Sequence, residues 1–252
     1  MKGWLWFLVL TLALPAVAGE IDFATCFAAE KVDGAAVLYD REHGFREFHP
    51  DRCQRRYVPA STFKIPNSLI GLECGVLPMD LEWDGVEREI ANWNQDMSLD
   101  RAFRVSAVHY YQEVARQVGL DRMRSWVEKL GYGNAQVGKR VDRFWLDGPL
   151  AISPREQVEF LERLHDGRLP VSKRSRDTVV ALMDLQQDRI FAKTGWARTR
   201  DRDYGWWVGW VEREQGPLYF AVLVDQPHPV PADFFQLRIR LGRSLLKAAG
   251  AL

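Results

Sequence analysis

The sequence predicts a mixed α/β (α+β) fold in which strands near both ends of the chain form one antiparallel sheet. Helices flank this sheet, and an all-helical region is inserted between its strands. Three observations favour the arrangement: an apolar strand pattern at Gly34 to Asp40, three strand patterns after residue 190, and helical periodicity between about residues 60 and 185. Strands so far apart in sequence must pair to bury their apolar faces, so the two ends are expected to meet.

The elements follow from local periodicity and from the residues that begin and end helices. Ser153, Pro154 and Glu156 form a strong helix start, because Ser is a good N-cap, Pro fits the first turn and Glu completes a capping box. Pro66 must either kink its helix or lie within its first turns. The predicted strands are 34–40, 46–48, 190–194, 204–212 and 218–225, and the predicted helices are 60–73, 105–118, 121–130, 153–166, 175–185 and 233–249.

Composition excludes several classes of protein. Lys and Arg together number 34, as do Asp and Glu, so no basic surface for nucleic acid is expected. Hydrophobic residues make up 47% of the chain, which is enough for a large core. The five histidines and the three cysteines (Cys26, Cys53 and Cys74) lack the spacing of metal ligands, so no metal site is expected. One disulfide and one spare thiol stay possible.

The first 18 residues have the pattern of a signal peptide. Lys2 gives a positive start, the apolar run from Trp4 to Leu14 is too short to span a bilayer, and small residues precede Gly19. The alternative is a buried N-terminal helix. We therefore expect cleavage after residue 18 and a mature single domain at residues 19–252, periplasmic and without membrane contact.

A hydroxyl and an amine are predicted to share one helix face at Ser61 to Lys64 (Ser-Thr-Phe-Lys). The positive potential near a helix start favours an alkoxide on Ser61. Apolar neighbours should lower the pKa of Lys64, since burial disfavours the charged amine. The pattern alone is weak, because Ser244 to Lys247 repeats it on what is predicted to be an ordinary surface helix.

Further motifs follow in a characteristic order. They are Ser106-Ala107-Val108, Tyr132-Gly133-Asn134, Phe144-Trp145-Leu146-Asp147-Gly148, Lys193-Thr194-Gly195 and the tryptophan-rich 205–210. With Ser61 to Lys64, this order resembles the class D β-lactamases, the oxacillinase family of the penicillin-recognising serine enzymes. The resemblance runs from about Phe23 to the final helix. Ser106-Ala107-Val108 stands where other serine enzymes of this type carry Ser-Asp-Asn.

The resemblance implies a β-lactamase/transpeptidase-like fold and a mechanism of β-lactam hydrolysis. Ser61 would be the nucleophile that forms an acyl-enzyme. Lys64 would react with CO2 or bicarbonate to become an N-carboxylated lysine, the general base, and no organic cofactor would be needed. Trp145 would hold the carbamate through its indole N–H, and Val105 and Val108 would keep the surroundings dry.

The same resemblance implies the substrate contacts. Ser106 would relay a proton to the leaving nitrogen, and Lys193 with Thr194 would face the substrate carboxylate. Gly195 would leave room for the ligand beside the strand. The backbone N–H groups of Ser61 and Trp196 would form the oxyanion hole.

Three assignments at the cleft are less specific. Tyr132 and Asn134 would shape the cleft floor, or be purely structural. An arginine on the last helix would complete carboxylate capture; Arg238 is the better match, and Arg240 is the alternative. Two positions apart on a helix, they cannot share a face. Loops near residues 93–99 and after Trp196 should also line the cleft.

Competing functions share these motifs. A β-lactam sensor would acylate once and scarcely turn over, and a peptidoglycan transpeptidase would use the same serine without the Trp145 motif. An inactive binding protein is a third alternative. We favour the hydrolase, acting on small-molecule β-lactams as a monomer or a homodimer.

Overall fold

The computed structural model describes residues 21–252, and the predicted signal peptide lies outside the described residues. The strands are β1 (Asp33–Asp40), β2 (Gly44–Phe48), β3 (Asp80–Leu81), β4 (Met97–Ser98), β5 (Ile190–Arg198), β6 (Arg202–Val211) and β7 (Leu218–Pro227). The helices are α1 (Phe23–Glu30), α2 (Pro50–Gln54), α3 (Lys64–Glu73), α4 (Leu99–Arg104), α5 (Val108–Val118), α6 (Leu120–Leu130), α7 (Pro154–His165), α8 (Lys173–Met183) and α9 (Phe234–Ala248), with 3₁₀ turns at Ala60–Phe63 and Ala91–Trp93.

The main sheet is antiparallel, with the order β2-β1-β7-β6-β5. The pairing of β1 with β7 joins the two ends of the chain, since Ala35 lies opposite Leu223. This confirms the predicted fold class. β2 and β5 are the two edge strands, so one side of the β5 backbone is free to face other parts of the molecule.

Alternating side chains separate two apolar layers on the two faces of the sheet. On β6, Trp206 and Trp210 pack into the layer formed with the inserted helices, whereas Trp207 packs into the layer beneath α1 and α9. All three indoles are almost fully buried. The helical insertion therefore lies on one face of the sheet, and the terminal helices cover the other.

Two predicted helices differ from the observed ones. The predicted helix 60–73 begins as the 3₁₀ turn Ala60–Phe63 and becomes α-helical only at Lys64, which leaves Pro66 in the first turn of α3. The predicted helix 105–118 is wrong at its start, because Ser106 has a left-handed φ of 56° and separates α4 from α5. A non-glycine residue in that conformation cannot continue a helix.

The Ser153 start is confirmed as a full capping box, in which Ser153 and Glu156 satisfy each other's backbone N–H groups. The predicted strand 190–194 is wrong at its end, because β5 continues to Arg198 by pairing with β6. The sequence patterns did not predict helices α1 and α2. Both are short, and the structure packs them against β1.

Candidate active site

Ser61 and Lys64 are brought together by the 3₁₀ turn Ala60–Phe63 and the first turn of α3. The turn is anchored to the inserted region, since the Ala60 N–H donates to the carbonyl of Trp145 at 2.9 Å. Lys64 is fully buried, and its Nζ donates to Ser61 Oγ at 2.9 Å. Ser61 itself is half-buried. The hydroxyl is therefore reachable from solvent while the amine that contacts it is not.

The environment of Lys64 disfavours its charged form. Burial lowers the pKa of the amine well below its ordinary value, and the positive charge of Lys193 lowers it further. Its Nζ lies 5.2 Å from the ring centre of Tyr111. A neutral amine with a free lone pair can act as a base or as a nucleophile, which an ammonium cannot.

Trp145 lies behind this turn with an unsatisfied donor. Its side chain is fully buried, and its ring stacks on Phe63 at a centroid distance of 5.4 Å. Among residues 21–252, its indole Nε1 has no hydrogen-bond partner. A buried donor without an acceptor costs about 1–3 kcal/mol, so this N–H is available to an acceptor that enters the site.

Ser106 and Lys193 form a second pair on the opposite wall. Ser106 occupies the tight turn between α4 and α5, and Lys193 projects from β5, so that Lys193 Nζ donates to Ser106 Oγ. Lys193 Nζ also donates to the carbonyl of Thr194 at 3.1 Å. Burial, reinforced by the positive charge of Arg238, lowers the pKa of Lys193 to about 7. Lys193 is thus poised to gain or lose a proton near neutrality.

The backbone of Trp196 points toward the Ser61 turn. The Leu185 N–H donates to the Ile190 carbonyl, on the side of β5 away from β6. Backbone N–H and C=O groups point to opposite sides of a strand at successive residues, and Trp196 is six residues after Ile190. The Trp196 N–H therefore also points away from β6. The N–H of Ser61, near the start of its turn, is one of those that a helix start leaves without an internal acceptor. Both amides are available to an oxyanion.

Gly195 has a different role from the predicted one. A Cβ at Gly195 would lie 2.9 Å from the carbonyl oxygen of Pro59 and 3.1 Å from Thr62 Cγ2. The glycine therefore makes room for the backbone of the Ser61 turn, whereas the sequence analysis assigned that room to a ligand. Close packing of β5 on this turn places Lys193 and Ser61 in one cleft.

The structure distinguishes the two candidate arginines on α9. Arg238 is only 5% exposed, faces the cleft, and its Nε and Nη1 have no partner among the described residues. Burial lowers its pKa to about 10. Arg240 is 45% exposed on its side chain and forms ion pairs with Glu30 and Asp233. Arg238 is the arginine that can receive an anion in the cleft.

These groups surround a cleft of about 430 Å³. The cleft brings together seven predicted residues: Ser61, Ser106, Val108, Thr194, Gly195, Trp196 and Arg238. It is also lined by Ile90, Trp93, Arg104, Val105 and Phe235. The expectation that loops near residues 93–99 line the cleft anticipated Trp93, whose indole donates to the Val105 carbonyl at 3.0 Å.

Comparisons with known proteins agree with this geometry. Residues 28–240 match the penicillin binding protein transpeptidase domain. The β-lactamase OXA-48 of Klebsiella pneumoniae is 39% identical over 254 residues, covering 96% of this chain and 94% of that protein.

Two solved structures are also similar. The class D β-lactamase YbXI from Nostoc is 39% identical with a TM-score of 0.87, covering 92% of this chain and 100% of that one. FUS-1 (OXA-85) from Fusobacterium nucleatum is 33% identical with a TM-score of 0.85, covering 91% of this chain and 98% of that one.

The chain belongs to the class D β-lactamase family. The resemblance inferred from the ordered motifs is therefore confirmed, and with it the assignment to the serine hydrolases of this family. Class D enzymes need neither an organic cofactor nor a metal ion. Within the described range, residues 21–252, no group of three or more His, Cys, Asp and Glu side chains is placed to hold a metal.

Two residues predicted to contact substrate do not line the cleft of this class D chain. Tyr132 is fully buried, and its hydroxyl lies 3.4 Å from both Thr62 Oγ1 and Gln157 Oε1. It supports the Ser61 turn from behind. Asn134 ties its own loop, since its Oδ1 accepts from the Ala151 N–H at 3.0 Å. Their contacts fit the structural alternative, and a part in shaping the cleft floor stays a prediction.

Across residues 21–252, no helix is both long and apolar enough to cross a bilayer.

Proposed function

We propose that this chain hydrolyses the β-lactam ring of penicillin-type antibiotics through an acyl-enzyme on Ser61, and so confers resistance. The observation that carries the proposal is the buried Lys64 amine, whose pKa burial lowers well below its ordinary value, 2.9 Å from the Ser61 hydroxyl at the edge of an open cleft. A serine needs an adjacent base to attack an amide carbonyl, and this arrangement supplies one.

The chain's own groups account for acylation. Ser61 Oγ gives its proton to the base at Lys64 as it forms a bond to the lactam carbonyl carbon, and the N–H groups of Ser61 and Trp196 stabilise the oxyanion. When the ring C–N bond breaks, the leaving nitrogen takes a proton. Ser106 Oγ, which accepts a hydrogen bond from Lys193 Nζ, is placed to deliver that proton and to recover it from the lysine.

The residues around Lys64 fit an N-carboxylated lysine. Only a neutral amine attacks CO2, and burial favours the neutral form of Lys64 by lowering its pKa well below the ordinary value. The Trp145 indole N–H lacks an acceptor, and Lys64 lies beside the positive charge of Lys193 without an anion to balance it. A carboxylated lysine supplies the general base for acylation and for activation of the hydrolytic water. Trp145 would hold it, and Val108 would help to exclude bulk water.

The cleft wall that contains Thr194 and Arg238 is suited to an anionic substrate. Thr194 and Arg238 line the cleft, and Lys193 Nζ contacts the cleft residue Ser106. Two guanidinium nitrogens of Arg238 have no partner among the described residues. Penicillins carry a carboxylate next to the ring nitrogen. Pairing this carboxylate with Arg238 would offset the cost of burying the guanidinium.

Bicarbonate dependence tests the proposal. Enzyme depleted of CO2 at acidic pH should lose most of its penicillin hydrolysis and regain it when bicarbonate is added. With ¹³C-bicarbonate, a carbamate resonance should appear in the native protein and be absent in Lys64→Ala. Full activity in depleted enzyme would contradict a carboxylated Lys64.

Turnover separates the alternatives. A β-lactam sensor would consume one equivalent of penicillin and stop, and a transpeptidase would release product slowly and act on peptide substrates. Many turnovers per enzyme molecule are expected here, because a carboxylated Lys64 would activate the water that deacylates Ser61. Stoichiometric acylation without turnover would favour the sensor.

We also infer export and cleavage after residue 18, which would give a periplasmic single domain at residues 19–252. Cell fractionation followed by intact mass measurement should find a chain beginning at Gly19 in the periplasmic fraction. An uncleaved chain in the cytoplasm would contradict the inference.

A further inference from the structure

The indole of Trp196 is bound to a buried carboxylate that the proposed mechanism does not use. Trp196 Nε1 donates to Asp203 Oδ2 at 2.8 Å, and His228 Nε2 lies 2.8 Å from Asp203 Oδ1. The Asp203 side chain is 0% exposed. An ionised carboxylate only accepts hydrogen bonds, so His228 carries a proton on Nε2 and donates it to this contact.

The partners of Asp203 account for its burial. A buried carboxylate is costly unless hydrogen bonds and opposite charges surround it. Two N–H donors approach it, one on each oxygen, and Arg198 Nε lies 3.6 Å from Oδ1. Arg198 is 63% exposed, and its guanidinium carbon lies 4.8 Å from the centre of the Trp196 ring. The hydrogen bonds from Trp196 and His228 are therefore the contacts that hold the buried carboxylate. Losing Asp203 would therefore release the indole of Trp196.

The position of Asp203 in the sheet explains why it reaches the cleft wall. Trp196 lies opposite Gly205 and Arg198 lies opposite Asp203, which makes Trp196 and Asp203 diagonal neighbours on one face of β5 and β6. From the other side, the Phe235 ring meets the Trp196 ring edge-on at 4.5 Å. The indole is thus fixed from two directions.

Trp196 contributes two surfaces to the cleft. Its backbone N–H faces the Ser61 turn, and its ring is part of an apolar wall of the cleft. The apolar side chains that line the cleft with it are Ile90, Trp93, Val105, Val108 and Phe235. A wall of this kind contacts the part of a substrate that extends beyond the reacting ring, and its grip depends on the indole being immobile.

We propose that Asp203, backed by His228, is a positioning residue that fixes the Trp196 indole and thereby sets affinity for β-lactams with a bulky aromatic side chain. The inference rests on the proposed function, since it assigns specificity within the same cleft. A β-lactam without an acyl side chain does not reach this wall, and its turnover is independent of Asp203.

Kinetics of Asp203 variants test the proposal. Asp203→Ala should raise KM about tenfold for oxacillin, which carries an aromatic side chain, and less than about twofold for 6-aminopenicillanic acid, which has none. Asp203→Asn keeps an oxygen acceptor for the indole and should restore oxacillin KM to within about threefold. A general loss of folded enzyme would lower the rates with both substrates alike. Equal KM changes for both substrates would overturn the proposal.

A double-mutant cycle isolates the contact. Trp196→Phe keeps an aromatic ring but removes the indole N–H. In that background, Asp203→Ala should change oxacillin KM by less than about twofold, because there is no contact left to lose. Fully additive effects would show that Asp203 acts elsewhere, and would overturn the proposal.

A measurement independent of turnover separates this inference from the proposed function. In ¹⁵N-tryptophan-labelled protein, the indole resonance missing from Trp196→Phe identifies Trp196. That resonance should shift and exchange faster with solvent in Asp203→Ala, but not in Asp203→Asn. If the wild-type chain hydrolyses no β-lactam, the proposed function fails alone. An unchanged indole resonance in Asp203→Ala would overturn the positioning role in either case.

Discussion

Two groups of buried charged side chains lie in different parts of the molecule. One combines an acid with basic partners, and the other contains basic side chains alone. At the end of β1, the Asp40 carboxylate accepts from the His43 N–H at 2.8 Å and from Arg46 Nη2 at 2.7 Å, with Arg213 at 3.3 Å. At the cleft, Lys64, Lys193 and Arg238 are buried together, and none forms an ion pair with a carboxylate in the described part of the chain.

The pKa values follow this difference. Burial works to raise the pKa of Asp40, but hydrogen bonds from His43 and the charge of Arg46 outweigh it, so the pKa lies below its ordinary value. For the three cleft cations, burial lowers the pKa and no acid opposes it. The Asp40 cluster is complete by itself. The cleft cluster contains three basic side chains and no acid paired with them among the described residues, an arrangement typical of a site that binds an anion.

The substitution with the largest expected effect removes the Lys64 amine. Lys64→Ala should lower kcat for penicillin by about 10³-fold or more, because the nucleophile loses its base. Lys247→Ala is the matched control, since Lys247 is the exposed lysine of the second Ser-x-x-Lys sequence. Steady-state hydrolysis rates check both. Residual activity within tenfold of the native enzyme would show that the uncompensated cluster is not the catalytic one.

The unsatisfied indole offers the next test. Trp145→Phe keeps most of the packing against Phe63 but removes the N–H. Deacylation should slow about 10²-fold and acylation less, so the acyl-enzyme should accumulate and be visible by intact mass spectrometry.

Trp210→Phe is the matched control for this indole. Trp210 is equally buried, but its N–H already has a partner in Glu212 at 2.9 Å. This variant should lose stability without accumulating acyl-enzyme. If Trp145→Phe slowed both chemical steps equally, the indole would not be holding the deacylation base.

The two arginines of α9 test whether an unpaired charge matters more than a nearby one. Arg238→Ala should raise KM for penicillins about 10- to 100-fold with a smaller change in kcat, because the lost contact is to a bound carboxylate. Arg240→Ala should change KM less than about twofold, since its charge is already satisfied by Glu30 and Asp233. Comparable KM effects of the two substitutions would contradict the assignment to Arg238.

Sequence reasoning reached the reactive groups because they occur in ordered motifs. It could not choose between Arg238 and Arg240, because a helix face becomes inward only when the helix docks. Here Gly205 permits the docking of α9, since a Cβ there would lie 3.1 Å from Phe234 and 3.3 Å from the stem of Arg238. That contact joins residues far apart in sequence, and no local pattern reports it.

The other differences between prediction and structure also come from contacts between residues far apart in sequence. Tyr132 and Asn134 occur in a Gly-containing loop, which is typical of a cleft edge, yet tertiary contacts bury the first behind Thr62 and use the second to tie the loop. The strand containing Lys193 was predicted to end at Thr194, because Gly195 and Ala197 have weak strand preference. Pairing with β6 overrides that preference as far as Arg198.

The smallest expected effect concerns stability, which should rise with pH for both clusters, but in different pH ranges and for opposite reasons. For Lys193, the pKa is about 7 in the fold and near 10.5 in the unfolded chain. Between these values the unfolded chain binds more protons, so the free energy of unfolding rises with pH, and the cost of burying this lysine is fully present below pH 7. Asp40, with its pKa lowered, instead stabilises the fold above its unfolded pKa, and that contribution disappears as pH falls through the folded value.

Lys193→Met should therefore raise Tm at pH 7 by about 2–4 °C, and the gain should shrink as pH approaches 10, because methionine fills a similar volume without a titrating group. Asp40→Asn should lower Tm at neutral pH, since it leaves Arg46 and Arg213 without their shared carboxylate. Calorimetry across pH 5–10 measures both. A Lys193→Met variant less stable than the native protein at pH 7 would mean that the cleft already balances its charge, and the argument for an external anion would lose its thermodynamic basis.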